Sequence, residues 1–206
     1  MDYLTMIIHN LFPTTVGVFN LDSELTTNEL NFIKDLDTKP NQLNTTSVDN
    51  YLFRQPELAR IAEFCEKSTQ EYFQTMYAPK NDVRPYITQS WANYTNKGQA
   101  HHKHEHPNSV ISGVFYVQAV KDVDRLYFFK SGYQQIKIPT ENYTLYNSDS
   151  WWLGVETGQL LLFPSSLTHQ VDSVTTTETR ISLSFNTFLK GHIGDDDQLT
   201  RLTVEV

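Results

Sequence analysis

The sequence predicts a mainly β fold, an antiparallel jelly roll with α-helices from its N-terminal part packed on the outer face of one sheet. From residue 86 onward, apolar and polar residues alternate in several short runs, and this period of two is typical of strands. Turn-forming residues separate the runs and no helical pattern lies between them, which favours antiparallel strands over a parallel sheet. Upstream, residues 56–77 carry an apolar stripe at helical spacing that needs a sheet to cover.

The first 85 residues supply supporting elements. Residues 3–20 predict one or two strands. Residues 25–36 predict a helix, with Thr26 or Thr27 as its N-cap. The polar residues 37–50 predict a loop. Pro56 suits the first turn of the next helix, which we expect to continue to Tyr77.

The remaining chain divides into strands, one insert and a tail. Between residues 133 and 155 several aromatic residues stand in a polar background, which fits either a locally packed flap or a substrate lid. Residues 191–206 form a tail with a strand-like end. The predicted strands cover residues 86–95, 110–120, 124–132, 134–139, 158–164 and 180–189.

Composition limits the possible classes of protein. With 206 residues and 39% apolar content, residues 1–206 are expected to form one domain, composed of supporting elements (1–85), a jelly-roll core (86–190) and a tail (191–206). The net charge of −8 argues against a general nucleic-acid-binding protein, which normally presents a basic face. A single cysteine and the lack of a signal peptide or membrane span predict a cytoplasmic protein without a membrane partner.

A cluster of histidines precedes the second predicted strand. His101, His102, His104 and His106 lie within six positions. In an extended backbone the side chains of His104 and His106 point to the same side, so their rings converge on one point. A histidine-rich tract alone is equally typical of a solvated loop. A third candidate ligand, His169, follows an apolar strand and therefore favours a metal site.

A buried cation is predicted eleven residues beyond His169. Arg180 opens an alternating strand and shares one face with Ser182. A guanidinium group is costly to bury without a partner. Because its fork matches a carboxylate and a nearby hydroxyl adds a donor, we expect an anionic ligand there.

These motifs, in this order, resemble the Fe(II)- and 2-oxoglutarate-dependent oxygenases, in particular a prolyl-hydroxylase-like branch found in bacteria and phages. The resemblance covers roughly residues 86–190. Its pieces are Ser90-Trp91-Ala92-Asn93, His104-Glu105-His106-Pro107, Ser112-Gly113-Val114-Phe115-Tyr116, Gly158 with Phe163-Pro164-Ser165, His169 and Arg180-Ile181-Ser182.

The resemblance implies a double-stranded β-helix, also called cupin-like, and the cofactors Fe(II), 2-oxoglutarate and O2. The implied reaction is hydroxylation of an unactivated C–H bond with release of succinate and CO2. The substrate is unknown, and a peptide or protein side chain fits the resemblance. The implied site has His104, His106 and His169 on the metal, Arg180 and Ser182 on the cosubstrate, and Asn93 and Tyr116 as further contacts.

One departure leaves alternatives open. The usual metal set of this superfamily is two histidines and one carboxylate, whereas His106 occupies the carboxylate position. Either His104, His106 and His169 hold the metal, or His106 only lies nearby and a water or Asn108 completes the ligand set. A cupin-like three-histidine enzyme that does not use 2-oxoglutarate, acting on a small thiol or diketone, is the alternative enzyme class. A non-catalytic jelly-roll binding protein is the third hypothesis.

Overall fold

Antiparallel strand pairing organises the chain. The computed structural model describes residues 6–205 except 133–135 and 137. The strands are β1 (Gly17–Asn20), β2 (Thr38–Pro40), β3 (Thr45–Ser47), β4 (Val83–Thr95), β5 (His101–His104), β6 (Ile111–Gln118), β7 (Arg125–Phe129), β8 (Ser150–Gly154), β9 (Gln159–Pro164), β10 (His169–Val171), β11 (Arg180–Ile193) and β12 (Leu202–Val204). The helices are α1 (Thr27–Lys34) and α2 (Ala59–Tyr77).

The strands form two sheets. The larger has the order β1-β9-β6-β11-β4-β3-β2, with β12 paired to β11, and the smaller has the order β5-β10-β7-β8. All pairings between these strands are antiparallel. The predicted mainly β jelly-roll class is therefore confirmed.

The larger sheet buries both of its faces. In β9, Leu160 and Leu162 join the apolar cluster that includes residues of α2, whereas Leu161 and Phe163 join the cluster shared with β7 of the smaller sheet. This division follows from the alternation of side chains along a strand. The same alternation turns the polar face of β11 away from α2 and toward the interior between the sheets.

The two helices agree with the sequence prediction. At the start of α1 the Thr26 side chain accepts a hydrogen bond from the backbone of Glu29, whose own carboxylate accepts from the Thr26 backbone. This reciprocal pair satisfies donors that a helix start leaves free. One turn of 3₁₀ helix, Pro56–Leu58, leads into α2, and Ala78, the residue that follows α2, has a left-handed conformation. None of the described helices is long and apolar enough to cross a membrane.

Of the one or two strands predicted within residues 3–20, the described residues contain one, β1, and the loop predicted for residues 37–50 is wrong. Residues 6–16 contain no strand, and the side chains of Ile7 and Phe12 are exposed; only the later β1 finds a partner, β9. The predicted loop 37–50 contains the β2–β3 hairpin, which extends the larger sheet through β4. This hairpin lies at a sheet edge and the side chains that it buries, Asn44 and Ser47, are polar, so no apolar alternation marks it in the sequence.

The insert and the tail also differ from a featureless loop. Residues 134, 135 and 137 of the predicted strand 134–139 lie outside the described residues, and residues 136, 138 and 139 are not in a strand. The insert ends in β8, which pairs with β7. The guanidinium of Arg125 lies over the Trp152 ring, 3.8 Å from the centroid of that ring. This contact favours a packed flap for that part. The strand-like end of the tail is β12, as predicted.

Close packing of β6 against β11 leads to a stability prediction. A methyl group added at Gly113 would lie 2.1 Å from Cζ of Phe185, whose side chain is fully buried. Gly113→Ala should therefore lower the free energy of unfolding by about 1–3 kcal/mol, as overpacked cores do. Gly154→Ala is the matched control, since nothing lies within 4 Å of the place that its added methyl group would take, and it should be neutral or slightly stabilising. Urea unfolding of both variants measures the difference; equal stabilities would contradict the packing.

Candidate metal centre

The pairing of β5 with β10 brings two of the predicted ligands together. His104 and His169 are cross-strand partners, and their ring centroids lie 4.4 Å apart. His106 follows the end of β5, and its ring lies 4.9 Å from that of His104 and 5.1 Å from that of His169. One ligand nitrogen from each ring lies within 4.8 Å of the other two. The three side chains therefore surround one point.

A chain of serines fixes the His106 loop. The His106 backbone N–H donates to the Ser165 carbonyl at 3.0 Å. The Ser165 hydroxyl bonds to Ser112 at 2.8 Å and to Ser109 at 2.7 Å, and both Ser112 and Ser165 are buried. Because Ser165 belongs to the loop that leads to His169, these bonds hold the two ligand-bearing loops in register.

Backbone carbonyls determine which ring nitrogen remains free. His104 Nδ1 lies 2.7 Å from the His102 carbonyl, and His169 Nδ1 lies 2.9 Å from the Leu167 carbonyl. A carbonyl only accepts, so each Nδ1 carries the hydrogen and each Nε2 keeps its lone pair. This arrangement is typical of histidines that bind a metal through Nε2.

Burial keeps the histidines neutral. It lowers the pKa of His169 to about 3 and that of His106 to about 4, with a further contribution from neighbouring rings. The pKa of His104 is also lowered, mainly by burial. Near neutral pH the three rings are uncharged, which is the form that binds metal ions.

Arg180 lies in the same interior and has no carboxylate partner. Its side chain is 4% exposed. It donates to the Arg125 carbonyl at 2.8 Å and to the Tyr116 hydroxyl at 3.3 Å. Among the described residues no carboxylate lies within 4.0 Å of it. A buried guanidinium with donors to spare favours an anionic ligand.

The neighbouring strands add polar groups to this interior. Ser182 pairs with Asn93 on β4 and with Tyr116 on β6. Asn93 is 4% exposed and donates to Ser184 at 3.0 Å, while its side-chain oxygen has no partner among the described residues. A buried amide oxygen without a donor is costly, so this atom is available to a ligand.

All seven predicted site residues line one cavity, namely Asn93, His104, His106, Tyr116, His169, Arg180 and Ser182. Trp91 lines it too, as alternation with Asn93 indicates. Asn108 is exposed outside the cavity, so the geometry supports a three-histidine metal set over one completed by Asn108. His101, which is not among the site residues predicted from the sequence, also lines the cavity. No pattern of period two would place it beside His104.

Comparison with known proteins identifies the fold and the matching family. Residues 89–186 match a family described as "Putative 2OG-Fe(II) oxygenase". No curated protein matches the chain. The predicted resemblance to this group of oxygenases is confirmed by the family match, and the solved structures show the shared fold.

Three solved structures illustrate the shared fold. HygX from Streptomyces hygroscopicus with nickel, 2-oxoglutarate and hygromycin B bound is 13% identical (TM-score 0.60; 84% of this chain, 82% of that chain). A 2OG-Fe(II) oxygenase family oxidoreductase from Burkholderia pseudomallei is 15% identical (TM-score 0.55; 76% and 74%). A Pseudomonas putida prolyl-4-hydroxylase is 13% identical (TM-score 0.52; 84% and 92%).

A substitution at the centre of the cluster tests the metal site. His104→Ala removes one of three imidazoles and should abolish tight Fe(II) binding, because two ligands hold the ion incompletely. Elemental analysis of untagged protein, loaded with Fe(II) without oxygen and then desalted, measures the bound ion. Glu105→Ala is the matched control, since the neighbouring side chain is exposed and should retain iron like the parent. Full retention in His104→Ala would contradict the site.

Proposed function

Because residues 89–186 match a 2OG-Fe(II) oxygenase family and the cavity brings three histidines together with a buried arginine, we propose that this chain is an Fe(II)- and 2-oxoglutarate-dependent dioxygenase. Its proposed reaction is hydroxylation of an unactivated C–H bond. The observation that carries the proposal is the buried Arg180, which has no carboxylate partner among the described residues and faces the cavity of the histidine cluster.

The donor set fits the metal. His104, His106 and His169 would hold Fe(II) through nitrogens that the structure leaves unprotonated, and neutral imidazole is a good ligand for iron. The Nδ1 bonds of His104 and His169 fix their ring orientations, and the backbone bond from His106 to Ser165 fixes its loop. The ligand set is therefore preorganised before the ion binds.

The polar groups of the cavity fit the cosubstrate. Arg180 would bind the distal carboxylate of 2-oxoglutarate, with Ser182 on the same strand face and the Tyr116 hydroxyl already in contact with the guanidinium. Asn93 offers an amide group without a partner for its oxygen. Such an amide suits a donor on the substrate or on a bound water.

When bound, Fe(II), 2-oxoglutarate and O2 supply the oxidation, in which 2-oxoglutarate is converted to succinate and CO2 and one oxygen atom enters the substrate. The residues of this chain position the reactants and exclude bulk water. Buried apolar side chains of β6, β7 and β9 surround the inner side of the cavity, which strengthens electrostatic contacts inside it. Arg180 anchors the cosubstrate without taking part in proton transfer, because a guanidinium stays charged.

The substrate is proposed only by class. HygX has been solved with hygromycin B, and a prolyl-4-hydroxylase shares the fold. A small organic molecule or a peptide side chain is therefore the proposed substrate class, and the second of these is the one that fits the resemblance of the motifs. The cupin-like alternative without 2-oxoglutarate gives no reason for a buried arginine in the cavity.

Removing the arginine tests this function without knowledge of the substrate. Truncating one partner of a desolvated charge pair costs roughly 2–5 kcal/mol, so Arg180→Ala should weaken 2-oxoglutarate binding by about 30-fold or more. Arg180→Lys should recover part of the affinity, because it keeps the charge and loses the fork. Anaerobic titration of the Fe(II) protein, followed by the charge-transfer absorption of a chelated keto acid, measures the affinity.

Arg84→Ala provides the control for this titration. Arg84 is an exposed arginine on β4, where it pairs with Lys190 at the opposite end of β11. Its removal should leave 2-oxoglutarate affinity unchanged. An absence of charge-transfer absorption in the parent protein at millimolar 2-oxoglutarate would instead favour the cupin-like alternative.

A further inference from the structure

His104 belongs to two three-histidine groups. The inner set is His104, His106 and His169, described above. The outer set is His101, His102 and His104, whose ligand nitrogens also lie within 4.8 Å of one another. Its ring centroids are 4.6, 4.8 and 5.2 Å apart, so it is about as compact as the inner set.

A β-bulge in β5 creates the outer set. His104 pairs with His169, but His101 pairs with Val171, so two residues of β5 oppose the single Gln170. In a regular strand His101 would face away from His104. The extra residue turns it toward His104, and the two rings stack at an interplanar angle of 19°. Bulges commonly redirect side chains beside functional sites.

A buried nitrogen of the outer set has no partner. His102 Nδ1 is shielded from solvent and makes no hydrogen bond in the described structure. A buried polar atom left unsatisfied costs about 1–3 kcal/mol. Coordination of an ion, or a hydrogen bond to a ligand, would remove that cost. The unsatisfied His102 Nδ1 therefore points to a ligand independently of the spacing of the rings.

The two sets compete for one lone pair. His104 Nδ1 is bonded to the His102 carbonyl, so His104 offers only Nε2 to a metal. One imidazole nitrogen cannot serve two separate ions. An ion in the outer set therefore removes His104 from the inner set, and the reverse also holds.

We propose that His101, His102 and His104 form a second, mutually exclusive site for a divalent ion such as Zn²⁺. Three imidazoles without a carboxylate suit Zn²⁺, which binds nitrogen ligands more tightly than Fe²⁺ does. An ion in the outer set is not bound by His106 or His169. Zinc bound there would occupy His104, so iron in the inner set would lose this ligand. Only this regulatory consequence rests on the proposed function; the binding itself does not.

Paired double variants test the proposal by calorimetric titration of untagged full-length protein with Zn(II). His106→Ala/His169→Ala retains only the outer set and should bind one ion per chain, as should His101→Ala/His102→Ala, which retains only the inner set. The parent should also bind one ion, because His104 is shared. Lys103→Ala, an exposed neighbour in β5, is the control and should behave like the parent.

Three outcomes would overturn the proposal. No zinc bound by a folded His106→Ala/His169→Ala protein, with folding checked by circular dichroism, would exclude the outer set. Two zinc ions bound by the parent would exclude the sharing of His104. If the His106→Ala/His169→Ala protein does not fold, the single variant His102→Ala provides the test. At least tenfold more Zn(II) should then be needed to displace Fe(II) from His102→Ala than from the parent. An unchanged zinc requirement refutes the site. The 2-oxoglutarate titration tests the proposed function separately.

Discussion

The antiparallel pairing of β5 with β10 is the constraint on which the site depends. It places His104 opposite His169, and it does so from two short strands that could shift along each other. A slip of one residue would turn each side chain to the opposite face. The hydrogen bonds from His106 to Ser165 and among Ser109, Ser112 and Ser165 oppose such a slip, because they join the loops beyond both strands.

The second fixed point of the site is Arg180, at the start of the longest strand of the larger sheet. Strand β11 lies between β6 and β4, so its backbone is held on both sides and the arginine has little freedom to leave the interior. The Arg125 carbonyl and the Tyr116 hydroxyl reduce the cost of burying its charge without neutralising it. The sheet thereby maintains an anion-binding group at a set place relative to the histidines.

The site residues were accessible from sequence wherever a period of two governs the backbone. Alternation correctly grouped Arg180 with Ser182 and Trp91 with Asn93, because β11 and β4 run regularly through this region. It failed at His101, because the bulge in β5 arises from how the chain pairs with β10. A bulge of this kind adds a residue to one strand without requiring a particular residue type, so the sequence pattern does not reveal it.

The upstream part of the chain was harder to predict for a related reason. The β2–β3 hairpin pairs with the edge of β4, and the side chains that it buries, Asn44 and Ser47, are polar, so it shows no apolar pattern. The apolar residues 6–12 show the opposite case: they resemble a strand, yet nothing among the described residues pairs with them. Strand formation depends on an available partner edge as well as on composition.

The replacement of a carboxylate by His106 changes the charge of the centre. In the proposed complex three neutral imidazoles would leave a divalent ion with both of its charges, and Arg180 would add a third, while no carboxylate lines the cavity among the described residues. A carboxylate in the ligand set would cancel one of these charges. In that complex the doubly negative 2-oxoglutarate would meet a more positive interior, where a low dielectric strengthens the attraction. In the proposed complex the cosubstrate itself, and not a protein side chain, compensates most of the charge that the metal brings into the cavity.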